Sequence, residues 1–473
     1  MLFSSLNFIY VFLPALFLLY FIIRNSFYRK CVLIAFSLLF YAWGEPVFVL
    51  LMLFTVMVNY LMGRAIGRVR RPSKKKFYMA LAVIVNLSLL GFFKYTGFLV
   101  ETLNLLPMIS LPVPKIALPL GISFYTFQAM SYTIDVYRGD CVPQRSFADM
   151  LLYVSFFPQL VAGPIVRYQD IEAQLDNRMV AIEDINEGIY RFSLGLGKKV
   201  LLANACGGVA DSLLKADAVN LSVAGLWVGA VFFALQIYYD FSGYSDMAIG
   251  LGRMFGFRFL ENFKYPYISR SATEFWRRWH ISLGTFFREY VYIPLGGNRS
   301  HWLRNVFVVW FLTGLWHGAS FNFIAWGLFY ALLLVLEKRA LLPLFKKMGK
   351  CLGTIISYLY MFVVTVVGWT VFYFEDGFLS RVKMLFGGGN LPLTDIFLTS
   401  TLRQNCLLLG AALLLAFPVY PAICGWLKKR CGDSDGAYAA GRIIKMVIII
   451  VLIGASTAML AGNSYNPFLY FRF

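Results

Sequence analysis

All three histidines of this 473-residue chain fall between Tyr265 and Ala319. His280 and His317 each follow a tryptophan; His317 has apolar surroundings, His280 lies in a basic segment expected at the interface, and His301 lies in a polar sequence typical of a loop. An imidazole in an apolar site is held neutral, because burial disfavours its charged form. A neutral imidazole held against a hydroxyl can accept its proton and supply roughly 10²–10⁴ of rate. His317 is therefore the first candidate for a catalytic base, and the glycine after it would let a substrate approach.

His317 and His280 could each have a structural or binding role instead of a catalytic one. His317 could be a satisfied structural residue of a membrane segment, and His280 could serve binding or packing at an interface. The chain contains no GxSxG elbow, no GxxxxGK[ST] loop and no HExxH sequence. The residues alone therefore predict a site but leave its reaction open.

Two elements would position these histidines. Ser271-Ala-Thr-Glu274 is a capping box and predicts the start of a helix. Apolar and aromatic residues then recur every three or four positions, which predicts one helical face that carries Trp276, His280, Leu283, Phe287 and Tyr290. A second apolar run over 306–316 leads to His317. We expect an amphipathic basic helix followed by a membrane segment.

The composition predicts an all-α polytopic membrane protein. The chain is 59% hydrophobic and 14% charged, whereas a soluble domain has about 25% charged residues. The net charge of +19 lies mainly between apolar runs, as the positive-inside rule requires, so it does not indicate nucleic acid. Seven cysteines without a CxxC pair indicate neither a disulfide framework nor a metal site.

Apolar runs of membrane-spanning length predict eleven or twelve spans, together with re-entrant and interfacial helices. The basic loops 64–76 and 253–304 should be cytoplasmic and both termini outside. The main predicted spans are 6–23, 31–43, 46–62, 77–99, 189–206, 221–251, 321–336, 352–374, 401–424 and 443–460.

Two stretches do not fit regular lipid-exposed helices. Residues 116–140 and 156–168 are apolar but contain prolines and glycines. Broken helices leave backbone amides unsatisfied in hydrocarbon, so these stretches must be buried in protein or line a polar cavity. A kinked span and a re-entrant segment beside a substrate passage are both compatible with the sequence.

Two carboxylates occur inside the apolar run 221–251. An intramembrane carboxylate costs about 2.5–3.5 kcal/mol by insertion scales, so Asp240 and Asp246 should face the protein interior with partners. Six residues apart on a helix, they point to different sides, which argues against a paired-carboxylate site. Structural hydrogen bonding and a direct role in the site both remain open.

Five long segments of the chain are, in order, LPLGISFYTFQAMSYTIDVYRG, FFPQLVAGPIVRY, DFSGYSDMAIGLGRMFGFRFLENFKYPY, FWRRWHISLGTFFREYVYIPLGGNR and LWHGAS. They resemble the membrane-bound O-acyltransferase (MBOAT) family, particularly its bacterial alginate O-acetyltransferase branch and, more distantly, the teichoic acid D-alanyl transfer protein. The likeness is continuous to about Ala319 and weaker beyond. It predicts one integral membrane domain over 1–473, with a family-like core to about 340 and additional spans over 341–473.

The resemblance implies site residues that match the family motifs. His317 corresponds to the essential histidine of the WHG motif and His280 to the second family position, so both are candidate catalytic residues. A tunnel would join a cytoplasmic donor to an acceptor on the other side. Arg277 and Arg278 could steer the phosphates of a donor by charge. The candidate substrate-binding residues are Trp316, Arg277, Arg278 and Asp240.

The function implied is transfer of acetyl groups from a cytoplasmic thioester to an extracellular polysaccharide such as alginate. Acetyl-CoA or an acyl carrier protein would be the donor, with no tightly bound cofactor. The expected partners are an extracytoplasmic acetyltransferase or other polysaccharide-modification proteins, in a bacterial inner membrane. The alternative is a transporter or scaffold that moves a polymer or acyl group without chemistry.

Overall fold

The computed structural model describes residues 1–473 except 162, 177, 218–219, 432–434, 463–465, 467 and 470–473. The described residues are predominantly helical and include no strand, so the predicted all-α class is confirmed. Six described helices are long and apolar enough to cross a membrane: Phe48–Arg68, Pro72–Leu103, Val223–Met254, Lys350–Tyr373, Ile396–Ala416 and Ala439–Gly462. The chain is a multi-pass membrane protein.

The described α-helices follow one another along the chain. The first eleven are α1 (Leu13–Ile22), α2 (Ser26–Ala42), α3 (Phe48–Arg68), α4 (Pro72–Leu103), α5 (Ile122–Arg138), α6 (Phe147–Ser155), α7 (Phe157–Leu160), α8 (Tyr168–Asp176), α9 (Ile182–Gly197), α10 (Asn204–Leu214) and α11 (Val223–Met254). The others are α12 (Ala272–Arg278), α13 (Ile281–Phe287), α14 (Trp302–His317), α15 (Phe321–Leu336), α16 (Leu342–Lys347), α17 (Lys350–Tyr373), α18 (Phe378–Leu385), α19 (Ile396–Ala416), α20 (Val419–Cys431) and α21 (Asp435–Gly462). Among the described residues, four π-helical segments adjoin helices: Phe8–Phe12 leads into α1, Lys198–Ala203 joins α9 to α10, Arg288–Tyr292 continues α13, and Glu337–Leu341 joins α15 to α16.

Most predicted spans correspond to helices. The predicted span 321–336 has the same bounds as α15, and the predicted span 189–206 is built from α9, a π-helical segment and α10. A short apolar stretch, Phe8–Ile22, corresponds to the predicted first span. The total of eleven or twelve spans stays a prediction, because several of these helices are too short to cross a membrane alone. The central tunnel also stays a prediction.

The chain divides into two compact units. The first contains residues 1–192 and 244–260, and the second contains residues 193–243 and 261–473. In the first unit, Pro119 and Gly121 of the stretch 116–140 precede α5, which is a regular helix of largely buried residues. The expected break near Pro158 is confirmed, since α6 ends at Ser155 and α7 is a single turn. Both stretches are largely buried, as their sequences require.

In the second unit, close packing of α14 on α15 places His317. A Cβ on Gly314 would overlap the carbonyl oxygen of Phe323, and one on Gly327 would overlap that of Trp310. Small residues at these two positions let the helix backbones approach each other, as at many membrane helix interfaces. The last residue of α14 is thereby held against α15.

Candidate active site

The segment that contains His280 is not one helix. Ser271 caps α12 as predicted, because its Oγ accepts the Glu274 N–H at 3.0 Å. However, α12 ends at Arg278, His280 has a left-handed φ of 46°, and α13 starts at Ile281. The predicted single face over 276–290 is therefore wrong.

Tertiary hydrogen bonds explain this break. The Lys264 N–H donates to the Arg278 carbonyl at 2.9 Å, and the Ile281 N–H donates to the Asn262 carbonyl at 3.0 Å. These backbone groups would otherwise continue the helix. The segment 262–264 thus ends α12 and turns the chain at His280.

The other end of α12 is fixed by a buried carboxylate. Glu337 accepts the Thr273 N–H at 2.9 Å and the Thr273 hydroxyl at 2.7 Å, and it also accepts the Ala272 N–H. The Tyr360 hydroxyl donates to the same carboxylate at 3.0 Å. A negative charge at a helix N-terminus is favourable, and here it satisfies the first amides. Glu337 therefore sets the position of the helix that leads to His280.

His280 is fully buried and oriented by one amide. Its Nδ1 lies 3.3 Å from Asn262 Oδ1, which also accepts the Ser282 N–H at 3.0 Å. Since a backbone N–H can only donate, that atom is an oxygen, and Nδ1 must carry the proton. Nε2 is then the unprotonated nitrogen, and it has no hydrogen-bond partner among the described residues. Burial lowers the pKa of His280, which lies outside the long apolar helices.

His317 is the last residue of α14 and is 6% exposed. Its ring centroid lies 5.0 Å from that of Trp326 and 5.4 Å from that of Phe372. It lines a small, mainly apolar cavity of about 20 Å³, whose other lining residues include Asp240, Trp279, Trp326, Trp369, Phe372 and Leu469. A volume of roughly 10–15 Å³ on this measure holds one water-sized group. The cavity thus accepts a very small group directly beside the imidazole.

Gly318 serves packing rather than substrate access. A Cβ at this position would overlap the ring of Phe323. The expectation that the glycine opens the way to His317 is therefore wrong. Its missing side chain instead lets the first turn of α15 close over the end of α14.

Asp240 lies in the same cavity as part of a buried ion pair. Its Oδ1 is 2.6 Å from Lys199 Nζ, and both side chains are under 5% exposed. Lys199 also donates to Asn204 at 2.9 Å, and the Leu469 N–H donates to Asp240 Oδ2 at 2.9 Å. Such a pair is stable in an apolar interior only when further hydrogen bonds satisfy its charges. Asp240 therefore makes structural hydrogen bonds, one of the two roles that its sequence left open, and it also lines the cavity.

Asp246 belongs to different surroundings, as its spacing from Asp240 predicted. Within the first unit, its Oδ1 accepts from Arg191 Nε at 2.9 Å and lies 2.7 Å from Arg191 Nη2. The two carboxylates thus have separate basic partners. No paired-carboxylate chemistry follows from them.

The predicted substrate-binding residues occupy different places. Trp316 is buried between the two imidazoles, with centroid distances of 5.7 Å to His280 and 5.0 Å to His317. Arg277 is exposed, whereas Arg278 is half-buried and pairs with Glu274 at 2.9 Å. Neither arginine lines the cavity. His301 is exposed and lies 2.7 Å from the Ser300 hydroxyl, as expected for a loop residue.

The structure thus brings His317 and Asp240 to one cavity, with Trp316 linking His317 to His280. Sequence reasoning missed Lys199, Asn262 and Leu469. A lysine inside the apolar run 189–206 was a usable signal, because a charge at membrane depth needs a partner. The amide of Asn262 and the C-terminal Leu469 carried no such signal.

An all-helical polytopic protein with a buried imidazole at a small cavity has the features of a membrane acyltransferase. The sequence model of the membrane-bound O-acyltransferase family matches residues 142–372. The probable alginate O-acetylase AlgI of Pseudomonas putida is 38% identical over the whole of both chains. The chain belongs to the membrane-bound O-acyltransferase family and is an acyltransferase.

Other relatives act on different polymers, according to their names. The peptidoglycan O-acetyltransferase of Helicobacter pylori is 36% identical over 100% of this chain and 98% of its own. The teichoic acid D-alanyltransferase of Bacillus subtilis is 28% identical over 46% of this chain and 58% of its own. The likeness to the Pseudomonas putida and Helicobacter pylori relatives covers this entire chain, including residues 341–473.

Proposed function

We propose that this protein transfers acetyl groups from a cytoplasmic thioester, across the membrane, for O-acetylation of an extracellular polysaccharide of the alginate kind. The observation that carries this proposal is the cavity of about 20 Å³ beside His317. Its small volume suits a group of about the size of the acetyl methyl and leaves no room for a long acyl chain in this conformation. Full-length similarity to proteins named for O-acetylation of alginate supports the same substrate class.

His317 is proposed as the general base. The acceptor hydroxyl oxygen attacks the thioester carbonyl carbon, its proton passes to the imidazole, the carbon–sulfur bond breaks and an ester bond forms. The imidazole then returns the proton to the departing thiolate. A neutral, buried imidazole is in the state that this step requires.

The remaining residues have supporting roles in this proposal. Asp240 is held by Lys199 at 2.6 Å, and the pair gives the apolar cavity a fixed, neutral polar wall. Trp316 contacts both imidazoles and keeps His317 in place through packing. Arg277 and Arg278, outside the cavity, would attract the phosphates of acetyl-CoA or of an acyl carrier protein.

We further propose that the protein works in a bacterial inner membrane with an extracytoplasmic acetyltransferase or another polysaccharide-modification protein. A donor on one side and a polymer on the other require a passage through the protein, which agrees with the predicted tunnel. The thioester donor is a substrate in this scheme, and no tightly bound cofactor is required.

The test is polymer-bound acetyl ester in cells that carry wild-type protein or His317→Gln at equal membrane levels. If His317 is the general base, His317→Gln should lose acetylation, because an amide side chain cannot accept the proton. His301→Gln is the matched control and should keep wild-type acetylation. Full acetylation in His317→Gln would favour the transporter or scaffold reading instead.

A further inference from the structure

A second cavity in the second unit lies between α11, α17 and α19. Its volume is about 170 Å³, and its lining includes Leu235, Phe275, Met361, Val366, Leu413 and Ala416. Phe275 stacks on Trp279 at 5.5 Å between ring centroids, so an aromatic layer separates this cavity from the one beside His317. The proposed acyl transfer does not use it.

This cavity opens on a membrane-facing surface. Its rim residues Phe362 and Phe417 are 50% and 45% exposed, and α17 and α19 are both long enough to span a membrane. An apolar cavity of about 150 Å³ stays free of water and takes up apolar molecules. In a bilayer, the apolar molecules within reach are lipid acyl chains.

The rim also carries a positive charge. Ser269 and Tyr358 line the cavity, and the exposed Arg270 adjoins both. Arg270 Nε donates to the Tyr358 hydroxyl at 3.3 Å, and its guanidinium carbon is 5.4 Å from the Tyr358 ring centroid. The ring thus holds the guanidinium at the mouth of the cavity.

The positive charge at the rim and the apolar interior of the cavity match the anionic headgroup and the acyl chain of a phospholipid. From Tyr358 to Val366, α17 rises by roughly 12 Å at 1.5 Å per residue, which gives the apolar path its length. The Tyr358 end lies toward Lys346, Lys347 and Lys350, where the positive-inside rule places the cytoplasm. Basic pockets between helices on that side favour anionic headgroups.

We propose that this cavity binds an anionic phospholipid of the cytoplasmic leaflet. One acyl chain lies between α11, α17 and α19, and the phosphate lies at Arg270. The bound chain packs against Phe275 and so supports the aromatic layer behind the His317 cavity. This inference concerns a separate site and does not depend on the acetyl-transfer proposal.

The test is native mass spectrometry of the full chain in detergent with added phosphatidylglycerol or phosphatidylcholine. Wild-type protein should retain phosphatidylglycerol preferentially, and Arg270→Gln should lose that preference. Arg381→Gln is the matched control, because Arg381 also lies over a ring, Phe374, at 4.9 Å near the other end of α17. It should behave like the wild type.

A second variant tests the acyl chain. Ala416→Leu places a larger side chain inside the cavity and should reduce retention of both lipids severalfold. If Ala416→Leu does not fold, Thr365→Leu is used in its place to fill the same cavity. Equal retention of the two lipids by wild-type protein, or unchanged retention in the cavity-filling variant, would overturn the proposal. Retention of detergent that neither lipid displaces would overturn it as well.

Discussion

The surroundings of the two buried histidines differ in kind. His280 lies at a left-handed turn between two short helices, and an amide oxygen 3.3 Å away orients it. His317 ends a regular helix, is packed by the rings of Trp326 and Phe372, and lines a cavity. Both are buried to a similar degree, so burial does not separate them. They differ in access to a substrate, because His317 lines the cavity and His280 does not.

His301 adds a control within the same chain. It has the same φ of 46° as His280, and each residue directly precedes a helix. Yet His301 is exposed and contacts its neighbour Ser300. The left-handed conformation is therefore a way to start a helix after a turn and not a sign of function. The side-chain surroundings decide what each histidine can do.

The largest expected effect is that of His317→Ala on acyl transfer. Loss of a general base should lower the rate by roughly 10²–10⁴, or about 2.7–5.4 kcal/mol of barrier at 1.36 kcal/mol per tenfold. The measurement is acetyl incorporation into polymer, normalised to membrane-embedded protein. Near-normal incorporation at equal protein level would show that the catalytic assignment is wrong.

The next largest effect concerns the stability of the cavity wall. Lys199→Met leaves Asp240 buried without its cation, which should cost about 3–5 kcal/mol of folding free energy. Replacing both members, Lys199→Met with Asp240→Leu, should restore most of this loss. The readout is the apparent melting temperature in detergent.

A surface pair is the control for the buried one. Lys215 and Asp211 lie 3.1 Å apart, but the lysine side chain is 55% exposed. Lys215→Met should cost about 0–1 kcal/mol, because solvent screens the pair. A loss in Lys199→Met no larger than this would mean that the buried pair does not stabilise the cavity wall.

The fold was predictable where the bilayer dictates it. A span needs about 20 apolar residues with its hydrogen bonds made internally, so apolar runs and their basic flanks give helices directly. The bounds of α15 agree with the predicted span 321–336 for this reason. A continuous helix over 271–290 was wrong, because backbone groups at 262–264 take the hydrogen bonds that would extend α12.

The site was predictable in its histidines and not in their partners. His317 could be found because an imidazole next to apolar sequence is unusual. Its cavity also depends on Leu469, whose N–H bonds to a carboxylate 229 residues earlier in the chain. No local spacing encodes such a contact. It arises only when the helices pack.

Variants of His280 should have a smaller effect on acyl transfer, because its side chain positions neighbouring residues and does not line the cavity. Loss of a net hydrogen bond of about 0.5–1.5 kcal/mol corresponds to a decrease of roughly 2–12-fold at 1.36 kcal/mol per tenfold. His280→Asn should lose less than His280→Ala, since asparagine tolerates a left-handed backbone better. Transfer and membrane level are measured together. A loss as large as that of His317→Ala would make His280 an equal partner in the chemistry.

The smallest effect is expected for glycine variants of the exposed turn. Glycine adopts a positive φ without steric cost, so it preserves the backbone at either histidine and removes only the side chain. His301→Gly should leave acyl transfer unchanged and alter stability within about 0.5 kcal/mol, as for most surface substitutions. His280→Gly, at the same φ of 46°, should still lower transfer, because the ring between Asn262 and Trp316 is gone. Since glycine preserves the turn in each variant, the change in transfer rate of each variant measures the loss of that side chain. If His301→Gly lowers transfer as much as His280→Gly, the exposed histidine takes part in the reaction, and the distinction between the two turns fails.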